Sequence, residues 1–408
     1  MKGGTLFSGG GGFCLGMVAA GVEHAWGVEY DDRIAQVARD NGLNTITADI
    51  LQCDPSAFEP VDFLHASPPC PNFSNAKANA EETDNDRALA AKVCEFITEL
   101  LPSIFTLENV YAYRKSKSWQ RIAKTLLTHG YQVNYWHVNM ADYGVPQTRK
   151  RMIAIARRDG ITPMLPPSTH AETAVNDLFG SKRQWVGWYE AIEDLIPTLP
   201  DSEFAPWQLE RLPNELIDCL MVKDGDNYAP VVNGCIPSYT LSATNGSRAF
   251  IVNGTPNDNG ASVTACAQDV PNFTITASVE KRPLRAFFVQ AANSQSNGKI
   301  TNEQCEPART VDTQGTPKAF IAAQGKYGDS MPVYNESEPH GTVTANSNQT
   351  GIKGQVNGRV VKMTVHALAR FQSFPDGYQW PDSNSLATRI IGNAVPPLFA
   401  QRLVEWLI

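Results

Sequence analysis

The sequence predicts an α/β fold, a doubly wound and mostly parallel sheet covered by helices, with a smaller β-rich domain inserted before the chain returns to helix. Three observations carry this. Over the first 160 residues short apolar runs alternate with amphipathic segments, the pattern of a parallel sheet with helices on its faces. From about Asp159 the chain becomes rich in Pro, Gly, Asn, Ser and Thr, with short alternating runs. After about Val360 helical periodicity resumes.

Strands are expected near Gly4 to Phe7, Ala25 to Glu29, Asn44 to Thr47, Val61 to Ala66, Ser103 to Leu107, Val133 to Asn139 and Met152 to Ala156. Asp31 is placed to cap a helix that ends at Asn41 and Gly42. Asp86 to Leu100 and Ser118 to His129 carry apolar stripes at helical spacing, as do Val365 to Phe374 and Pro396 to Ile408. Pro396 and Pro397 suit a helix start. Within the β-rich region one template recurs at Pro237 to Ala243, Pro271 to Ala277, Pro307 to Thr313 and Pro339 to Ala345, in steps of 34, 36 and 32 residues. The first three are followed by Arg248 to Ile251, Arg285 to Phe288 and Lys318 to Ile321, so each unit reads as two short strands joined by a polar loop. Mutually stabilising hairpins and a binding role are both compatible with that pattern.

The chain has 408 residues, 42% hydrophobic and 19% charged, the composition of an ordered globular protein of two domains. No apolar run is long enough to span a bilayer and no signal peptide is visible, so a cytoplasmic protein is expected. The eight cysteines form no CxxC pairs and lack histidine neighbours, so no metal site is expected and the thiols are read as reduced. A net charge of −8 does not advertise nucleic-acid binding, but the local field of a cleft decides that.

Ser67-Pro68-Pro69-Cys70-Pro71-Asn72 puts one cysteine, framed by prolines, at the exit of an expected buried strand. Such a turn aims a side chain rather than continuing a sheet, although a buried structural thiol would also fit. Phe7, Ser8, Gly9, Gly10, Gly11 and Gly12 follow the first strand and open a helix, while Glu29 ends the second. Backbone amides can there approach a nucleotide-like ligand while the carboxylate takes ribose hydroxyls, an arrangement that would equally serve a dinucleotide. Asp49 follows the third strand, where it would accept from an adenine amino group or cap a turn. Glu108 stands at the exit of the Ser103 to Leu107 strand, so parallel pairing would deliver it to the same crevice as Cys70. Gln147-Thr148-Arg149-Lys150-Arg151 leads into another strand with Arg149 and Arg151 on one side, where they would stabilise a thiolate or bind a phosphate or carbonyl oxygen.

In order and spacing, Phe7 to Gly12, Glu29, Asp49, Ser67 to Cys70, Glu108-Asn109-Val110, Gln147 to Arg151 and Gly392-Asn393-Ala394-Val395-Pro396-Pro397 resemble the motif set of the cytosine-5 DNA methyltransferases. A dinucleotide enzyme gives no role to the proline-framed cysteine. The resemblance implies the S-adenosylmethionine-dependent methyltransferase fold, with residues 1–190 and 376–408 as catalytic domain and 191–375 as target recognition domain. It implies Cys70 as the nucleophile on carbon 6 of a flipped cytosine, Glu108 at N3, Arg151 at O2 and Arg149 beside it. S-adenosylmethionine would lie on Phe7, Ser8, Gly9, Gly11, Gly12, Glu29, Tyr30, Asp49, Ile50, Pro69, Asn393 and Val395. Ser74 is a candidate phosphate contact, and the repeats would extend recognition along double-stranded DNA through Arg248, Arg285 and Lys318. A stand-alone monomer of prokaryotic or phage type is expected, with a paired restriction endonuclease left open. A transfer RNA methyltransferase of the same family and an inactive DNA-binding relative are the alternatives, the latter expected to lack Cys70, Glu108 or Arg151. Pro71, where the family most often has glutamine, and Met363 to Ala367, in place of Leu-Thr-Pro-Arg-Glu, are departures from the pattern.

Overall fold

A computed structural model describes residues 1–69, 82–177, 180–202, 337–341 and 359–408. Between 203 and 358 it also describes 221–224, 227–230, 250–253, 264–267, 287–289, 300–302, 319–322, 333–335 and 353–356. The chain divides into two compact units, one of Met1–Pro200, Tyr334–Ile352 and Lys362–Ile408, the other of Asp201–Val333 and Lys353–Val361. The first unit thus takes in the helix after Met363, which the sequence reading put in the inserted segment.

The first unit is built on β1 (Lys2–Leu6), β2 (Glu23–Glu29), β3 (Thr45–Thr47), β4 (Phe63–Ala66), β5 (Ile104–Asn109), β6 (Gln132–Asn139) and β8 (Lys150–Arg157), with β7 (Gln147–Thr148) just before β8. Spatial order is β3-β2-β1-β4-β5-β8-β6. β1 to β5 pair in parallel, whereas β8 runs antiparallel to both β5 and β6. Strand order reverses at β1, so the crevice for a ligand opens outside the carboxyl ends of β1 and β4.

Helices cover both faces. α1 (Gly12–Ala19) and the C-terminal α8 (Pro397–Leu407) pack together, burying Phe13, Met17, Phe399, Leu403 and Val404 against Phe63, Ile104, Ile153 and Ile155. α3 (Asp84–Leu100) and α4 (Lys117–Thr128) bury Leu89, Val93, Phe96, Ile97, Trp119, Ile122 and Leu126 against Leu64, Phe105 and Leu107. Successive strand residues therefore serve opposite cores. The helix starts obey local chemistry: Asp31 caps α2 (Asp32–Asp40), Thr83 forms a capping box with Asp86 and Ser116 caps α4. After α5 (Trp188–Ile192), Thr364 caps α6 (Val365–Phe371) and Ser383 caps α7 (Asn384–Asn393). The expected elements of this unit are present, and α7, which ends in the Gly392-Asn393 motif, adds a helix beyond them.

In the second unit Phe250–Asn253 pairs with Thr264–Ala267, Phe287–Val289 with Ile300–Asn302, and Ala319–Ala322 with Lys353–Val356, all antiparallel. The runs after the first three repeat templates thus contribute strands. The templates starting at 237, 271 and 307 lie outside the described residues. Of the fourth, His340–Gly341 pairs in parallel with β7 inside the first unit.

One buried group adds a pH dependence. His65, in the middle of β4, is stacked on Phe13 with ring centroids 3.5 Å apart, and its nitrogens meet Thr106 Oγ1 and Ser67 Oγ at 2.8 Å each. Burial pushes its pKa down to about 3, so it folds as a neutral ring. The unfolded histidine protonates near 6.5. Its contribution is therefore complete above about pH 6.5 and is lost as pH falls toward the folded value, at about 1.4 kcal/mol per pH unit. His65→Gln is expected to be less stable at pH 7.5 yet to lose less stability between pH 6.5 and 5.5, by about 1 kcal/mol, as measured by urea unfolding. An unchanged slope would refute the assignment.

Candidate active site

The glycine loop is locally strained and open. Phe7 (φ 60°), Gly9 (φ 55°) and Gly11 (φ 84°) occupy left-handed backbone, which costs least at glycine and marks Phe7 as held by its surroundings. Ser8 N–H donates to Val28 O at 2.9 Å, fixing the loop over β2. A Cβ on Gly9 would meet open space, whereas one on Gly12 would lie 2.5 Å from Val395 O, so the C-terminal motif closes directly on the loop. Tyr378 strengthens that closure by donating its hydroxyl to Gly10 O at 2.7 Å.

Glu29 is oriented from both sides, accepting from Gly9 N–H at Oε2 and from Asp31 N–H at Oε1, each at 3.0 Å. Asp31 is gripped in turn by Arg33 and by Arg389 of α7. Tyr30 is 74% exposed beside it. Asp49 caps the short turn Ile50–Gln52 by accepting from Leu51 N–H at 3.0 Å, the plainer of its two expected roles. Ile50 buries its side chain in the core, so any ligand contact there comes from its backbone. Asn393 is exposed at the end of α7, and Val395 is buried.

At the next strand ends, Pro68 is buried and Pro69 exposed. Asn109 donates its amide to Pro68 O at 3.0 Å and accepts from Val110 N–H at 2.8 Å, tying the exit of β4 to that of β5. Cys70 and Ser74 lie outside the described residues, as do Arg248, Arg285 and Lys318. Glu108, 6% exposed, faces Arg151, whose Nε lies 3.1 Å from Oε1. They meet because β8 is antiparallel to β5, so the beginning of one strand reaches the end of the other.

Arg149, expected beside Arg151, also reaches the C-terminal motif. It is 2% exposed and donates Nη1 to Gly392 O at 3.1 Å, in the last turn of α7, where a cation suits the exposed carbonyls. Burial, then the charge of Arg151, lowers its pKa to about 9, with Glu108 acting the other way. The same α7 also carries Arg389, which sequence reading passed over. Ser383 followed by Leu386, Ile390 and Ile391 was the available signal for that helix.

The arrangement joins a cradle of backbone amides, an oriented carboxylate and a buried carboxylate–guanidinium pair along one sheet edge. A profile described as "C-5 cytosine-specific DNA methylase" matches residues 1–218 and 242–408. The chain belongs to that family. It is accordingly an enzyme of the DNA (cytosine-5-)-methyltransferase class with the S-adenosylmethionine-dependent methyltransferase fold. It is 32% identical to the type II methyltransferase M1.HphI of Haemophilus parahaemolyticus over 98% of this chain and 84% of that one. With M.DdeI of Desulfomicrobium norvegicum the identity is 25% over 98% and 86%. Among solved structures, a putative DNA modification methyltransferase encoded within an E. coli prophage aligns at a TM-score of 0.53 and 17% identity, over 100% of this chain and 98% of that one. At that identity the likeness establishes the fold. Among the described residues no helix is long and apolar enough to cross a membrane.

Arg149→Met is expected to cost about 2–4 kcal/mol in urea unfolding, because it strands the buried Gly392 carbonyl and leaves Glu108 with one cation fewer. Wild-type stability in this variant would remove Arg149 from the support of the site.

Proposed function

We propose that the enzyme methylates carbon 5 of cytosine in double-stranded DNA through a covalent adduct with Cys70. The observation that carries this reading is the Glu108–Arg151 pair, set at the edge where Asn109 holds the carbonyl of Pro68, two residues before the cysteine. Carbon 5 of cytosine is a weak nucleophile, so the ring is first activated by addition of the Cys70 thiolate at carbon 6. The electrons pushed into the ring are met at N3 by Glu108, as proton donor or hydrogen-bond partner, and at O2 by Arg151. Once carbon 5 has taken the methyl group, loss of its proton to a base breaks the bond between carbon 6 and sulfur, releases the Cys70 thiolate and restores the aromatic ring. A stacked base exposes neither face, so the cytosine is flipped out of the duplex. Arg149, which donates to Gly392 O, is assigned a supporting role for the strand that carries Arg151.

The residues present fit S-adenosylmethionine. Ser8 Oγ is buried without a partner among the described residues, Gly9 faces open space, and Glu29 is held ready for hydroxyls. Phe7, Ser8, Gly9, Gly11, Gly12, Glu29, Tyr30, Asp49, the Ile50 backbone, Pro69, Asn393 and Val395 would hold it. When bound it supplies the electrophilic methyl group. The second unit, with its repeats, is proposed to recognise the target sequence.

Nucleoside mass spectrometry of a duplex incubated with the protein and S-adenosylmethionine is expected to show 5-methylcytosine for the wild type and none for Cys70→Ser. Glu108→Gln should slow the reaction by about 10²–10⁴-fold. Methylation by Cys70→Ser at the wild-type rate would overturn the mechanism, and modification of transfer RNA in place of duplex would move the substrate to the alternative reading. Deleting residues 237–270, one repeat step, is expected to alter the methylated sequence or the DNA affinity in base-resolution sequencing and binding assays. If neither changes, the repeats serve as scaffold.

A further inference from the structure

Between Glu108 and Asp142 the chain has no acidic residue at all, although its net charge is −8. That stretch carries Arg114, Lys115, Lys117, Arg121 and Lys124, with His129 and His137. It folds as the turn Tyr111–Lys115, then α4, then β6, directly after the strand end that bears Glu108. Lys115, Lys117, Arg121, Lys124 and His137 are exposed, as is Lys150 at the start of β8.

The edge of this surface is organised. Arg114 sits 4.1 Å over the ring centroid of Tyr111, and Tyr111 stacks on His137 at 3.8 Å and 14°. Lys150 and Arg114 both act on the charge of His137, so the cations share one place. Residues Asn109, Met152 and His137 are cross-strand neighbours on β5, β8 and β6, which puts the stack about 10 Å, two strand spacings, from the strand that bears Glu108. Strand alternation sends Lys150 and Arg151 to opposite faces, so the patch shares the catalytic edge without sharing its ion pair.

Elsewhere on this unit the cations are mostly neutralised, as in Lys2–Glu59, Arg39–Asp32, Arg87–Asp84, Lys92–Glu95, Arg157–Asp159 and Arg370–Asp194. None of Arg114, Lys115, Lys117, Arg121, Lys124 and Lys150 has a carboxylate within 4.0 Å among the described residues. The acids that face the region are committed: Glu82 takes the backbone N–H groups of Lys117 and Ser118, Glu108 faces Arg151, and Asp142 accepts from Trp185. Uncompensated like charges repel one another, and a polyanion relieves that repulsion.

We infer that Arg114, Lys115, Lys117 and Lys150, braced by the Tyr111–His137 stack, form a sequence-independent binding surface for the phosphate backbone of duplex DNA flanking the flipped cytosine. This rests on the DNA methyltransferase reading above. It gives an acidic protein the local positive field that its composition hides, and it assigns part of the DNA affinity to the catalytic unit itself.

The test compares Lys115→Gln/Lys117→Gln/Lys150→Gln with the control Lys2→Gln/Arg158→Gln, two cations at the opposite ends of β1 and β8. Duplex DNA binding is measured across a salt series on several unrelated sequences. The triple variant is expected to bind all sequences at least tenfold more weakly at low salt and to lose about 2–3 from the slope of log K against log salt, about 0.9 per phosphate contact. S-adenosylmethionine affinity, the thermal midpoint and kcat at saturating DNA should stay at control values. A triple variant whose affinity and slope match the control overturns the inference while leaving the methyltransferase reading intact. Wild-type protein that neither binds nor methylates duplex DNA overturns that reading instead, and preference for transfer RNA on the same patch refutes the duplex as occupant.

Discussion

The antiparallel pairing of β8 with β5 is the constraint on which the site depends. Parallel pairing of β4 and β5 brings the exits of two strands to one edge, but a third parallel strand would have carried its leading arginines to the far edge of the sheet. Reversing β8 places Arg151 against Glu108 and leaves Arg149 at the root of the strand, where it reaches Gly392. One change of strand direction thus creates the ion pair and links it to the C-terminal motif.

That link makes the cofactor loop and the base-reacting edge parts of one packed body. Val395 closes on Gly12, Tyr378 holds the carbonyl of Gly10, and Arg389 grips Asp31, whose amide orients Glu29. These contacts span more than 350 residues of sequence and are made by the last elements of the chain. Two glycines of α1 are required by space: bulk at Gly12 or Gly16 would strike the backbone of the segment beginning at Val395. Close approach, rather than flexibility, is what those glycines supply.

Electrostatics divides the unit in two. Buried groups are neutral or matched: His65 stays uncharged between two hydroxyls, and Glu108 meets Arg151. One group of exposed cations without carboxylate partners among the described residues, Lys115, Lys117 and Lys150, lies beside the catalytic edge. Substantial desolvation is acceptable where a counter-charge or hydrogen bond replaces water, whereas surface repulsion is acceptable where a polyanionic substrate relieves it.

The strand and helix periodicities, the caps at Asp31 and Ser116, and the order of the motifs were legible in the sequence, because they depend on contacts within a few residues. So were the acidic residue at the end of β2 and its place beside the glycine loop, since a strand followed by a turn carries that geometry locally. In sequence Asp49 suits two roles, because capping and ligand contact demand the same side chain, and the Leu51 amide shows the capping. The direction of β8, the burial of Arg149, the grip of Arg389 and the pairing of His65 with Thr106 and Ser67 were decided only by tertiary structure. A run of alternating residues reads the same in either strand direction, and a lone arginine or histidine carries no sign of its partner. The sequence by itself determined which elements form and which chemistry they carry; closure of the sheet and the return of the C-terminus decided which charges meet, because those contacts join residues that no local pattern connects.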